Sequence, residues 1–192
     1  MANRATKPVS LIWGTGPLKL DIFIEPTCPF CVRTLGKIKP FLSEVGESNV
    51  MIELHLHSQP WHLFSPVIMR SILAAATLPD GKNKAWHVLE IIGQHREEFE
   101  FKDHASGPNM EATPNDIVRR VEQYSGLSLQ EAFKSQDVTA SLKRYAKFAR
   151  QNGIHVSPTF MVNGLIDNRF SSGEDISEWV ERVRAELKNK LS

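Results

Sequence analysis

Cysteine is almost absent from this chain. Cys28 and Cys31 are the only two in 192 residues. That scarcity excludes a disulfide scaffold, because a bridge within C-x-x-C closes too short a loop to constrain the unfolded chain. Long apolar runs are missing too: none approaches the roughly 20 residues of a membrane-spanning helix. There is no charge bias, since Lys+Arg 23 against Asp+Glu 22 leave a formal net charge of +1. The balance offers no electrostatic footprint for a nucleic-acid partner or an anionic membrane. The opening "MANRATKPVSLIWG" carries Arg4 and Lys7 but no apolar h-region, so it does not read as a signal peptide. As written, the chain is expected in the cytoplasm, and in the periplasm or outside the cell if a leader has been removed. No glycine-rich phosphate loop, serine-histidine-acid set or zinc-protease motif occurs.

What is present is an ordinary globular composition, 41% hydrophobic and 23% charged. The length suffices for a core without staples. "VSLIW" is a short candidate strand, and "LKLDIFIEP" (Leu18 to Pro26) alternates like a longer one. After Cys28, apolar positions 32, 35, 38, 41, 42 and 45 follow a helical period. Thr27 is the expected N-cap, Pro29 suits the first turn, Pro40 should kink the helix, and Gly46 suits its exit. "NVMIELHLHS" reads as another strand. A helical block follows: from Ser65, over "NKAWHVLEIIGQHREEFEF", from "TPNDIVRRVEQYSG", from "SLQEAF" and from "DVTASLKRYAKFARQNG", the last ending at Gly153. "HVSPTFMVNGLIDN" predicts two short strands joined at Asn163-Gly164. A closing helix puts Ile176, Trp179, Val180, Val183 and Leu187 on one face.

The stretch "EPTCPFCVRT", Glu25 to Thr34, leaves three readings of the cysteines: a redox pair, half of a metal site, or two small core residues. A metal site needs two more ligands and the chain has no further cysteine. Only distant histidines could complete it, so no metal is expected.

The element order, with "E-P-T-C-P-F-C" and "V-S-P-T-F" in this order and separation, resembles the thioredoxin fold in its DsbA-like branch of thiol-disulfide oxidoreductases. The fold class expected is α/β, thioredoxin-like with a helical insertion. The domain would be discontinuous, 1–64 and 137–192, with 65–136 inserted. The resemblance implies a disulfide oxidoreductase or isomerase that exchanges electrons through Cys28 and Cys31. It needs no cofactor beyond that pair, with glutathione able to serve as a co-substrate. Its partners would be protein or small-molecule thiols and disulfides. The resemblance also implies a cis bond at Ser157–Pro158, whose backbone would dock an extended substrate as an added strand. Pro158 opening a strand in trans is the plainer alternative. Two other functions stay open: a redox-inert peptide-binding module, and a glutathione-dependent isomerase or transferase of the same fold. Members of the latter group typically lack the second cysteine.

Exchange starts from a thiolate, and a helix N-terminus favours negative charge through its unpaired N–H groups. Cys28 at that end is the expected nucleophile, and Cys31 one turn on is the resolving thiol. Phe30 between them brings no charge, which implies a less acidic Cys28 than a histidine there would give. Phe30 is a substrate-contact candidate. The buried carboxylate of many thioredoxin-like proteins would fall at Ile22. Asp21 and Glu25 share the opposite strand face. Glu25 either relays protons near Cys31 or stands solvated at the strand end. His55, His57 and His62 read as solvated or core-edge histidines. Trp61 and Phe64 either anchor the helical segment or line an apolar groove with Phe30. His155 either reaches the active-site rim or faces solvent. "QHREEFEFKDH" reads as a solvated charged face.

Overall fold

Leu18, Leu20, Ile22 and Ile24 all point to one side of their strand and are fully buried there, as the alternation requires. They belong to β2 (Leu18–Ile24) of a five-stranded sheet. The chain is described by a computed structural model over residues 6–189. β1 (Leu11–Trp13) and β3 (Val50–Leu56) flank one side of β2, and β4 (Thr159–Val162) and β5 (Leu165–Ile166) the other, in the order β1-β3-β2-β4-β5. β2 and β3 run parallel, with Ile22 opposite Leu54, while the other neighbours are antiparallel. The parallel pair needs a crossover, and α1 (Pro29–Val45) supplies it.

Glycine matters at the turn between β1 and β2. A Cβ on Gly16 would lie 2.0 Å from the Asn49 carbonyl carbon, and Gly14 has φ +75° against the Val50 carbonyl oxygen. The turn therefore lies directly on the chain entering β3. At the other end of the sheet, Asn163 and Gly164 have φ of 50° and 89°, as a two-residue hairpin demands. Asn163 Oδ1 also accepts from the Lys19 N–H at 3.1 Å and extends the pairing of β2 with β4.

The helix expected over 83–101 stops at Gln94, where the chain tightens into a 3-10 turn at Arg96–Glu98. The short helix at 130–133 has Leu129 rather than Ser128 at its cap. Beyond these, two exceptions at helix starts stand out. α4 (Pro114–Ser125) starts in a full capping box: the Thr113 side chain accepts from the Asp116 N–H and the Asp116 carboxylate from the Thr113 N–H. α6 (Gln136–Gln151) is capped by Ser135, and Gly153 follows its end at φ +66°. α1 ends at Gly46 as expected and continues through Pro40. The first exception is its start: Cys28, not Thr27, is the N-cap residue, and no side-chain oxygen caps the helix. The second is α2 (Ser65–Ala76), where Phe64 takes the N-cap position and Ser65 turns inward to Met69.

α2, α3 (Gly81–Gln94), α4 and α5 (Gln130–Phe133) fill the stretch between β3 and α6. α3 touches both α1 and β1. At that seam the Trp13 and Trp86 rings meet edge-on at 4.9 Å, and Lys39 pairs with Glu90 at 2.7 Å. One apolar cluster runs from the sheet into α2, α3 and α4. α7 (Ile176–Asn189) packs against α1 and β2. The opposite sheet face is covered by α6, where Phe23 stacks on Phe148 and packs with Ile154 and Met161.

Trp179 is fully buried among three aromatic rings, Phe41, Phe160 and Phe170, at 5.2 to 5.9 Å. It joins α7 to α1 and β4. Trp179→Ala is expected to cost about 3–5 kcal/mol in urea unfolding, and Thr113→Ala, which removes only a cap, about 1 kcal/mol.

Candidate active site

The strand β2 ends at Ile24, and the next four residues place the chemistry. Period-two alternation stops there, so Glu25 is not bound to the Asp21 face. Glu25 turns inward and is completely buried, which overturns the solvated reading. Its carboxylate Oε2 accepts from the Thr27 N–H at 2.7 Å and from the Thr27 hydroxyl at 2.8 Å. Thr27, spent on Glu25, is not free to cap α1. Burial pushes the Glu25 carboxyl up, against the lowering pull of His62 and Thr27.

Cys28 then fills the vacant cap. Its backbone is extended, and its sulfur receives the Cys31 and Phe30 N–H groups that open the helix. The Cys28 thiol is lowered to about 6: the hydrogen bond from the Cys31 side chain is the first cause, and the two N–H groups and the His62 ring add to it against burial. Cys31 moves the other way. It is fully buried, and burial, then its bond to Cys28 and the charge on Cys28, raise its thiol well above the ordinary value. The Glu25 N–H points at the Cys31 sulfur from 3.4 Å. Both cysteines are free thiols. The arrangement makes one sulfur anionic near neutral pH and keeps its neighbour protonated.

Ser157–Pro158 is a cis peptide bond. The Ser157 carbonyl oxygen lies 3.9 Å from the Cys28 sulfur. Gln59, buried just beyond β3, donates to the His155 carbonyl oxygen at 3.4 Å and to the Ser157 hydroxyl at 3.5 Å. His155 is itself exposed. His57 lies close enough for repulsion between the two rings, second to burial, to lower its pKa.

Two histidines expected at the surface or core edge are buried with carboxylate partners. His55 bonds Asp21 at 2.6 Å on the α6 face, and Lys19 reaches the same Asp21 oxygen at 2.9 Å. His62 lies on the active-site side: its Nδ1 is 2.9 Å from the Thr27 hydroxyl, 2.9 Å from Glu100 and 3.6 Å from Glu25. Because β2 and β3 are parallel, the loops after both leave the same edge of the sheet. That rule puts the "SQPWH" loop beside Cys28 and is the signal that could have found His62. Glu100 had no such signal.

These residues bound a cleft of about 860 Å³. Cys28, Phe30 and Ser157 form one side. The stretch expected to be a solvated charged face forms the other, through Arg96, Phe101 and His104, with Phe99 buried beneath it. Trp61 lines the cleft and is half exposed, whereas Phe64 is buried against Phe101 at 5.5 Å. Groove and anchor are thus divided between the two aromatics. Phe30 is 53% exposed at the rim.

A family profile described as thioredoxin matches residues 15–182. The chain belongs to the thioredoxin family. Within it, this thioredoxin-family chain is 54% identical to a candidate protein-disulfide isomerase from Pseudomonas syringae, whose crystal structure superposes with a TM-score of 0.88 over 90% of this chain and 97% of that one. A thioredoxin-like oxidoreductase from Silicibacter pomeroyi (18% identity, TM-score 0.66, 95% and 94% covered) shares the fold. So does the thiol-disulfide exchange protein α-DsbA2 from Wolbachia pipientis (13% identity, TM-score 0.67, 92% and 87% covered). No curated protein matches by sequence. No helix among the described residues is long and apolar enough to cross a membrane.

The two thiols should separate cleanly in titration. Iodoacetamide alkylation of the reduced chain is expected to follow a midpoint near pH 6 at Cys28 and to leave Cys31 unmodified at neutral pH. The folded value of Cys28 lies below its ordinary 9.0, so the thiolate stabilises the reduced fold fully above about pH 9 and loses that effect as pH falls through about 6. The difference in Tm between the reduced chain and Cys28→Ala should accordingly widen from pH 6 to pH 9.

Proposed function

We propose that the protein is a thiol-disulfide oxidoreductase, able to act as a disulfide isomerase, on protein or small-molecule substrates. The observation that carries this reading is the inequality of the two sulfurs: Cys28 faces the cleft with a lowered pKa, and Cys31 is fully buried with a raised one. The Cys28 thiolate attacks one sulfur of a substrate disulfide, forms a mixed disulfide and releases the other half as a thiolate. Cys31 then loses its proton and attacks the Cys28 sulfur. The second substrate thiolate leaves, and two electrons have passed from the dithiol to the substrate. The same steps reversed oxidise a substrate dithiol. Glu25, buried behind the pair, is the group proposed to take the Cys31 proton.

The substrate backbone is proposed to lie along Ser157 and Pro158, with its flanking side chains against Phe30. The reaction needs no cofactor beyond the sulfur pair, and glutathione can serve as the small thiol partner.

Insulin reduction with two serine variants tests the assignment. Cys28→Ser is expected to abolish turnover. Cys31→Ser should also stop turnover, but it should accumulate a one-to-one mixed disulfide with a substrate thiol, visible by intact mass. Full turnover in Cys28→Ser would overturn the nucleophile assignment.

A further inference from the structure

Three side chains that carry no thiol and take no proton in the exchange converge on the cleft wall. They are His62 from the loop after β3, and Glu100 and His104 from the segment between α3 and α4. One ligand atom from each lies within 4.8 Å of the other two. His62 Nδ1 and Glu100 Oε2 are 2.9 Å apart. Two imidazole nitrogens and a carboxylate oxygen at this spacing need only a small movement of exposed His104 to reach one ion at about 2.0–2.2 Å each.

A second observation points to a ligand. The Glu100 side chain is nine-tenths buried, with Oε1 held by Arg96, yet Oε2 accepts no hydrogen bond, although it is the oxygen that faces His62. Glu25, fully buried 3.6 Å from the same imidazole, likewise leaves Oε1 without a partner. Buried carboxylate oxygens are ordinarily satisfied. Here two are unfilled on either side of one histidine, beside a cleft open to solution.

From this geometry we infer that His62, Glu100 and His104 form a binding site for a divalent cation of the zinc class. Two nitrogen donors favour such an ion over magnesium or calcium. His62 would ligate through Nδ1 as the neutral imidazole with its one proton on Nε2, and Thr27 would keep its bonds to Glu25. Glu100 would ligate through Oε2 alone. Solvent from the cleft completes the coordination. The other cluster of this kind, Asp21, Glu53 and His55, carries no such inference: Lys19 lies 2.9 and 3.2 Å from its two carboxylates and Arg144 3.3 Å from Glu53. Those cations already neutralise it.

The inference does not depend on the exchange reaction, and the test removes the thiols. In untagged Cys28→Ser/Cys31→Ser chain, calorimetric titration with Zn²⁺ should give one ion per chain, and Co²⁺ should give visible d–d bands. Adding His104→Ala should weaken both by about tenfold or more, with circular dichroism unchanged. Glu100→Gln should act in the same direction. His87→Ala, exposed on α3 away from the cleft, should leave the affinity as it was. Absence of binding in the double-serine chain overturns the inference. So does an affinity that His104→Ala and His87→Ala leave equal.

Discussion

The vacancy at the start of α1 is the constraint on which the site depends. Helix N-termini are usually closed by an oxygen side chain. Here the residue placed to do so, Thr27, is committed to the buried carboxylate of Glu25. The unpaired N–H groups of Phe30 and Cys31 are left to the Cys28 sulfur. An anionic sulfur takes the place of the missing cap, and the helix dipole acts on it over the shortest available distance. Cys31 follows one turn later, beneath the surface, where the same helix hides it. A single local arrangement sets the two thiols to opposite acidities.

Charge buried on the two faces of the sheet is handled differently. On the α6 face, Asp21, His55, Glu53, Lys19 and Arg144 form a network in which each carboxylate has a cation within 3.3 Å. The hydrogen bonds from His55 and Lys19 hold Asp21 below the usual carboxylate range against its burial. At the active-site end, Glu25 and Glu100 share one imidazole and keep unfilled oxygens. Buried ions without full partners are costly. In the first network every carboxylate meets a cation, with only the ring nitrogen His55 Nδ1 and the Arg144 Nε left over, whereas in the second it is carboxylate oxygens that stay open beside the cleft.

Much of this was legible because it is local. Alternation marks β2, the apolar period marks α1, Thr113 before Pro114 marks the start of α4, and Asn163-Gly164 marks the last hairpin. The cis bond before Pro158 was legible only through the likeness of two short motifs to a known family, since Ser-Pro by itself reads as trans. What stayed hidden was the inward turn of Glu25, the partners of His55 and His62, and the role of residues 96–108 as a cleft wall. Each depends on contacts far apart in the chain: His62 with Thr27 across 35 positions, and Gln59 with the Ser157 loop across nearly a hundred. Strand periodicity also fails one residue beyond the strand, which is where Glu25 lies.

The cleft has its sulfurs on one part of the chain and much of its opposite wall on another, some seventy residues later. Phe101, Lys102 and Asp103 face the opening from a segment that supplies neither thiol and neither half of the Ser157–Pro158 bond. Under the proposed function, recognition and reactivity are therefore separable by heredity as well as in space. Drift or deliberate redesign of that short segment can alter which molecules are admitted while the electron-carrying pair is inherited unchanged.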